Sequence, residues 1–141
     1  MSKLARMHTA EHILTAVMKR HYNAPRNLEM HLNEKKTKCD YDVPDALSPS
    51  DVDRIQTLVN HEIAKNHAIS FSFSKRSEAG NYDLWKVPPE MEEIRIVSIG
   101  DFDAQPCSGP HVTTTAEIGK FEIASIEERE NGRTRIRFKV K

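Results

Sequence analysis

The chain has 141 residues, enough for one domain that buries roughly two-thirds of the surface its unfolded form exposes, and a single domain over residues 1–141 is expected. Its 21 basic and 21 acidic side chains cancel, which excludes a whole-molecule field that attracts nucleic acid; any RNA contact has to be local. Two cysteines, Cys39 and Cys107, are too few for a disulfide framework, no apolar run reaches membrane-spanning length, and the first residues lack the apolar core of a signal peptide. The expectation is a cytoplasmic protein with no membrane partner.

A first helix is predicted from about residue 3 to 22, stopped near Asn23-Ala24-Pro25 because proline holds the residue before it away from helical angles. Within it His8 and His12 stand one turn apart on one face. Leu28 to Leu32 is apolar at alternate positions, as are Cys39, Tyr41 and Val43, which predicts a hairpin across the turn carrying Lys35, Lys36 and Lys38. Ser48-Pro49-Ser50-Asp51 is a helix start, with serine as cap, proline in the first turn and an acid three residues on. The 3.6-residue period of Val52, Ile55, Leu58, Val59, Glu62 and Ile63 carries that helix to about Lys65 or Asn66.

Ile69, Phe71 and Phe73 alternate with serines, predicting a half-buried strand with its aromatic face inward. Residues 75 to 84 read as a short helix broken at Gly80, and Glu93 to Ile99 as a further strand ended by Gly100. Strand patterns return from Ile118, with a tight hairpin turn at Asn131-Gly132. In its second arm Arg133, Arg135, Arg137, Lys139 and Lys141 alternate with Thr134, Ile136, Phe138 and Val140. One face is thus buried and the other cationic, and two readings of the cations stay open: protection of a sheet edge, and contact with RNA phosphates. The order of elements predicts an α+β fold, an antiparallel sheet packed with two principal helices around a zinc site.

That site rests on a second spaced pair, Cys107 and His111, about a hundred residues after the first. Neither pair closes a metal site alone. A thiolate and three imidazoles make a tetrahedral His3Cys set, the ligand types a borderline-soft zinc ion takes, so one Zn2+ held by His8, His12, Cys107 and His111 is expected, with His111 the ligand most prone to be long or displaced. A metalloprotease reading fails on wording, because the HExxH motif needs glutamate directly after the first histidine and Thr9 stands there.

The residues around both pairs resemble the editing domains of alanyl- and threonyl-tRNA synthetases, above all the freestanding alanyl-tRNA editing proteins called AlaX. The resemblance runs through His8 to Leu14, through Gly100-Asp101-Phe102 with Cys107 to His111, and through Thr114-Thr115-Ala116-Glu117-Ile118-Gly119; Tyr82-Asp83-Leu84 and Pro88-Pro89 also look like short AlaX sequences. Ala116 departs from the glycine often found there, and Gln105 from an acid of the synthetase domains; an amide moves no proton near neutral pH. The resemblance implies a trans-editing hydrolase that deacylates mischarged tRNA, with seryl-tRNA for alanine as substrate. Cys-Ser-Gly-Pro-His is nearer the threonyl-type wording, which leaves serine on threonine-specific tRNA open, and a non-catalytic zinc-containing tRNA-binding module is the competing class. Asp101 and Gln105 are candidate catalytic residues, Thr9 and Glu29, the only acid in the first hairpin's apolar arm, are candidate substrate contacts, and Arg133, Arg135, Arg137 and Lys139, on their alternation alone, are candidate tRNA contacts.

Overall fold

The computed structural model describes residues 2–141 and has the α+β class expected from the order of its elements. Helix α1 spans Lys3–Tyr22; the Ser2 hydroxyl caps it by accepting from the Ala5 amide, and Asn23, in the left-handed region at φ 55°, ends it. Strands β1 (Glu29–His31) and β2 (Thr37–Tyr41) follow as the expected hairpin. Helix α2 (Pro49–Ala64) starts with a full capping box: the Ser48 hydroxyl accepts from the Asp51 amide while the Asp51 carboxylate accepts from the Ser48 amide.

Strands β3 (Ile69–Lys75), β4 (Glu93–Ile99) and β5 (Asp103–Pro106) form one antiparallel sheet in that order. A second, four-stranded antiparallel sheet has the order β1-β2-β7-β6, with β6 at Phe121–Glu128 and β7 at Thr134–Val140. A short 3-10 turn, Thr115–Ile118, leads into β6, and another, Arg76–Glu78, stands where residues 75 to 84 were read as helical. Strand β5 was not foreseen, since four residues are too few to show alternation.

Both helices join the two sheets in one core. Met7, Ile13, Leu14 and Met18 of α1 and Ile55 and Val59 of α2 meet Tyr41, Phe121, Ile136 and Phe138 from the larger sheet and Val97 and Ile99 from the smaller. A smaller cluster of Ala79, Ile94 and Ile96, flanked by Tyr82, Leu84 and Val87, packs the loop after β3 onto the smaller sheet. Strand β4 therefore uses both faces, Ile94 and Ile96 on one and Val97 and Ile99 close to the other.

Two expectations about surfaces change. The aromatic face of β3 is not inward: Ile69 is buried, but Phe71 is 50% exposed and Phe73 65% exposed. The core covers only the Ile69 end of that edge strand, and beyond it the Arg95 guanidinium lies over the Phe71 ring at 4.4 Å. Strand β7 is not an edge, because β2 and β6 flank it, so edge protection does not explain its cations. No helix among the described residues is long and apolar enough to cross a membrane.

Candidate active site

The first spaced pair lies on α1 because helical geometry puts His8 and His12 on one face, beside apolar residues that hold that face against the core. The second pair lies on the loop after β5. That loop is fixed by Arg95 of β4, whose Nε donates to the Cys107 carbonyl at 3.0 Å and whose Nη2 donates to the Gly109 carbonyl. Gly109 has to be glycine: a Cβ there would stand 2.6 Å from His8 Nδ1. The loop thus lies directly against α1, and His8, His12, Cys107 and His111 bring ligand-type atoms within 4.8 Å of one another.

The donor set fits a zinc ion. Cys107 Sγ lies 3.4 Å from His8 Nε2 and 3.4 Å from His111 Nε2. Tetrahedral ligation at usual zinc–sulfur and zinc–nitrogen lengths separates such atoms by roughly 3.5 Å. Thr9 sets the tautomer of His111. Its hydroxyl donates to the Ala5 carbonyl at 3.0 Å, so toward His111 Nδ1, 2.9 Å away, it is the acceptor; the Nδ1 proton is used there and Nε2 is left as a lone pair aimed at the cluster. The Val112 amide also donates to the Thr9 hydroxyl, tying the loop to the helix at the same atom.

Burial keeps the imidazoles neutral, the form a metal requires. Desolvation, helped by the neighbouring histidines and Arg95, pulls His12 down to about 3 and His111 to about 2, and burial also lowers His8. The Cys107 thiol is raised by burial, opposed by the Gly109 amide, so without a metal it keeps its proton. A bound cation reverses that preference and takes the thiolate.

His8, His12 and Cys107 line a cavity of about 550 Å³ running from α1 to the loop after β3. Two carboxylates share its floor. Glu11, nearly fully buried, accepts from the Thr15 hydroxyl at 2.7 Å and from Asn27 Nδ2 at 3.2 Å, and its other oxygen lies 3.8 Å from His12 Nε2. Asp103 is raised to about 6 by burial, with the Gln105 amide and Arg20 opposing. Three buried side-chain atoms among the described residues lack a hydrogen-bond partner: His8 Nδ1, His12 Nδ1 and Asn27 Oδ1. All three residues line this cavity.

The four expected metal ligands are brought together, and Gln105 lines the cavity, donating to the His12 carbonyl at 3.3 Å and to Asp103 at 2.7 Å. The other expected positions need correction. Asp101 is exposed in the turn before β5 and does not line the cavity; Asp103, on the same strand face as Gln105, does. Glu29 is exposed on β1, 3.7 Å from Arg135, while the next residue, Met30, lines the cavity. Thr9 is fully buried behind the cluster and positions His111 rather than facing a substrate.

The expected tRNA contacts on β7 are largely neutralised within the sheet. Arg135 forms a two-pronged bond with the buried Asp40, Nε to Oδ1 at 2.7 Å and Nη2 to Oδ2 at 3.1 Å. Arg137 reaches Glu127 at 3.4 Å and Lys139 reaches Glu122 at 3.6 Å, while Arg133 is half-buried in the preceding turn. Sequence reasoning passed over Glu11, Asp103, Asn27 and Arg95. A signal existed for the first two: Glu11 is three residues after His8 on one helix face, and Asp103 is two before Gln105 on one strand face.

Residues 94–137 match the family described as the threonyl and alanyl tRNA synthetase second additional domain. Over 129 residues, 89% of this chain, it is 32% identical to an alanine–tRNA ligase of Prochlorococcus marinus strain MIT 9312. It is 30% identical over 125 residues to that of Carboxydothermus hydrogenoformans and 29% identical over 121 residues to that of Francisella philomiragia, each match covering 84% of this chain. The chain spans about 15% of the length of these relatives. The second ligand pair lies inside the matched segment, so the part of the chain that is similar to the second additional domain of threonyl and alanyl tRNA synthetases is the part that brings Cys107 and His111 to the cluster.

Proposed function

We propose that this chain is a cytoplasmic trans-editing hydrolase that cleaves the ester joining a wrong amino acid to the terminal ribose of a tRNA, with seryl-tRNA for alanine as its substrate. The observation that carries the reading is the His3Cys cluster opening onto a cavity whose floor holds Glu11, Asp103 and the unpartnered Asn27 carbonyl. A structural zinc staple would be closed off from solvent, whereas three of these four residues line the cavity, which favours an enzyme over a non-catalytic module.

His8, His12, Cys107 and His111 would hold Zn2+, which supplies a Lewis acid or an activated water when bound. The chain's own residues do the rest. Glu11 and Asp103 offer carboxylates to the ammonium group of the aminoacyl ester, and Gln105 holds Asp103 in place through its amide. Gln105 itself neither takes nor gives a proton. With its pKa at about 6, Asp103 changes protonation just below neutral pH, so it is the cavity group best suited to moving one. The floor's polar atoms, Asn27 Oδ1 among them, match a serine hydroxyl that alanine lacks. A site that hydrogen-bonds a hydroxyl rejects the analogue without it by large factors.

Deacylation rates on alanine-specific tRNA charged with serine or with alanine, with and without chelator, test the proposal. Serine is expected to leave far faster than alanine, chelation to stop the reaction, and Cys107→Ala to lose both near-unit zinc and activity. Equal loss of the two amino acids refutes editing, and full zinc retention in Cys107→Ala refutes the metal site. Serine on threonine-specific tRNA, included because Gly109-Pro110-His111 has threonyl-type wording, identifies the carrier.

A further inference from the structure

The cavity is graded in charge and in polarity from floor to mouth. The floor is anionic, with Glu11 buried and Asp103 half-buried. The mouth is exposed, aromatic and cationic. Trp85 is 46% exposed and Phe73, on the open half of β3, lines the opening with it. Lys19, from the last turn of α1, and Lys86 are exposed there, and among the described residues neither has an ion-pair partner. Arg26 lies over the Trp85 ring at 5.2 Å, and its charge is shared with Asp83 at 3.0 Å. The remaining rim acid, Glu93, is the cross-strand neighbour of Lys75.

An apolar surface of this kind is not core left uncovered by accident. Beside Trp85, the smaller cluster on the Ile94 and Ile96 face of β4 is closed by Tyr82, Leu84 and Val87, which turn inward, while Trp85 between them stays out. Exposed rings flanked by unpaired lysines suit one partner class above others, an unpaired nucleic-acid strand, because every base offers a face to stack and every phosphate a negative charge. The grading also matches the charge order of an aminoacylated RNA end, with an ammonium at the tip and phosphates behind it.

We propose that Trp85 and Phe73 form a stacking platform for the unpaired 3′ end of the tRNA, receiving the terminal bases while Lys19 and Lys86 face the phosphates. The proposal rests on the editing reading for the identity of the RNA, but its binding step needs neither zinc nor an ester. Contact with tRNA then falls at the cavity mouth, not along β7.

Trp85 is the chain's single tryptophan, so its emission reports the platform directly. The probe is an uncharged, single-stranded RNA tetranucleotide ending in cytidine-cytidine-adenosine, titrated into the whole chain. Quenching that saturates is expected, with Phe73→Ala weakening the dissociation constant about tenfold, since one stacked base carries that order of effect. Phe71→Ala should leave it unchanged, because that ring, also exposed, lies under Arg95 at 4.4 Å and does not line the cavity. Removing the Lys86 charge should lower the log-log salt slope by about 0.7.

Trp85→Ala, silent in fluorescence, is read as a raised KM for seryl-tRNA with little change in kcat. Absence of quenching, equal effects of Phe71→Ala and Phe73→Ala, or an unchanged KM in Trp85→Ala each overturn the platform. An emission shift that follows protein concentration without RNA puts a second copy of the chain on these rings and also overturns it. Oligonucleotide binding that behaves as expected in a chain that hydrolyses no seryl-tRNA supports the platform and refutes only the editing reading.

Discussion

Two buried polar groupings differ in one respect that separates structure from function. The Asp40–Arg135 pair between β2 and β7 is complete: both Asp40 oxygens accept from the guanidinium, the two residues are directly opposed across the strands, and Glu29 and Glu127 flank the guanidinium. The grouping at the cavity is incomplete, with imidazole nitrogens and an amide oxygen that have no hydrogen-bond partner among the described residues. Desolvating a polar group without a partner costs free energy, so a fold retains such groups where something else completes them. The row of cations on β7 looks like a binding surface in the sequence, yet it belongs to the first kind. The plain residue Asn27 belongs to the second.

Breaking the complete grouping should give the largest loss of stability and no loss of function per folded molecule. Asp40→Ala strands the Arg135 guanidinium, and unfolding by urea should show a loss of about 3–5 kcal/mol, while kcat/KM of the folded fraction is unchanged. The pH dependence has a fixed sign. Burial would raise Asp40, but the Arg135 bond wins and holds its carboxyl below the ordinary value. The folded protein therefore binds that proton less readily than the unfolded chain. The stabilisation is fully present above about pH 4 and is lost as pH falls through the folded pKa.

The incomplete grouping should answer in the opposite currency. Thr9→Val keeps shape but deletes the acceptor that fixes the His111 tautomer, and competition with a chelator should show zinc affinity lower by about 10- to 100-fold, with the fold intact by circular dichroism. Unchanged affinity would mean that Thr9 only ties the loop to α1.

The smallest effect is a gain. Asp103 is raised to about 6 by burial, so the folded protein holds its proton more tightly than the unfolded chain does. Stability is therefore lost as pH rises from about 4 to about 6, and the loss stays constant above that. Asp103→Asn should be more stable than the parent at pH 7 by on the order of 1–2 kcal/mol, equal to it at pH 3, and slower in deacylation. No difference between pH 3 and pH 7 would show that Asp103 is solvated in the folded protein.

The sequence by itself determined the features that depend on neighbours in the chain. Pro25 and Asn23 stop α1, the Ser48–Asp51 capping box starts α2, and alternation marks β4, because caps, proline and side-chain period act over a few residues. The ligand types were legible for the same reason, since each pair is only four residues long. Only the tertiary structure decided which faces are covered. Alternation put Phe71 and Phe73 on one face of β3 but could not say that the core ends at Ile69, and it aligned the β7 cations without showing Asp40, Glu127 and Glu122 beside them. It also decided that Glu11, Asn27 and Asp103 meet at one cavity floor. Convergence of residues from α1, the segment before β1 and the strand β5 is a property of packing, to which no local pattern in the chain corresponds.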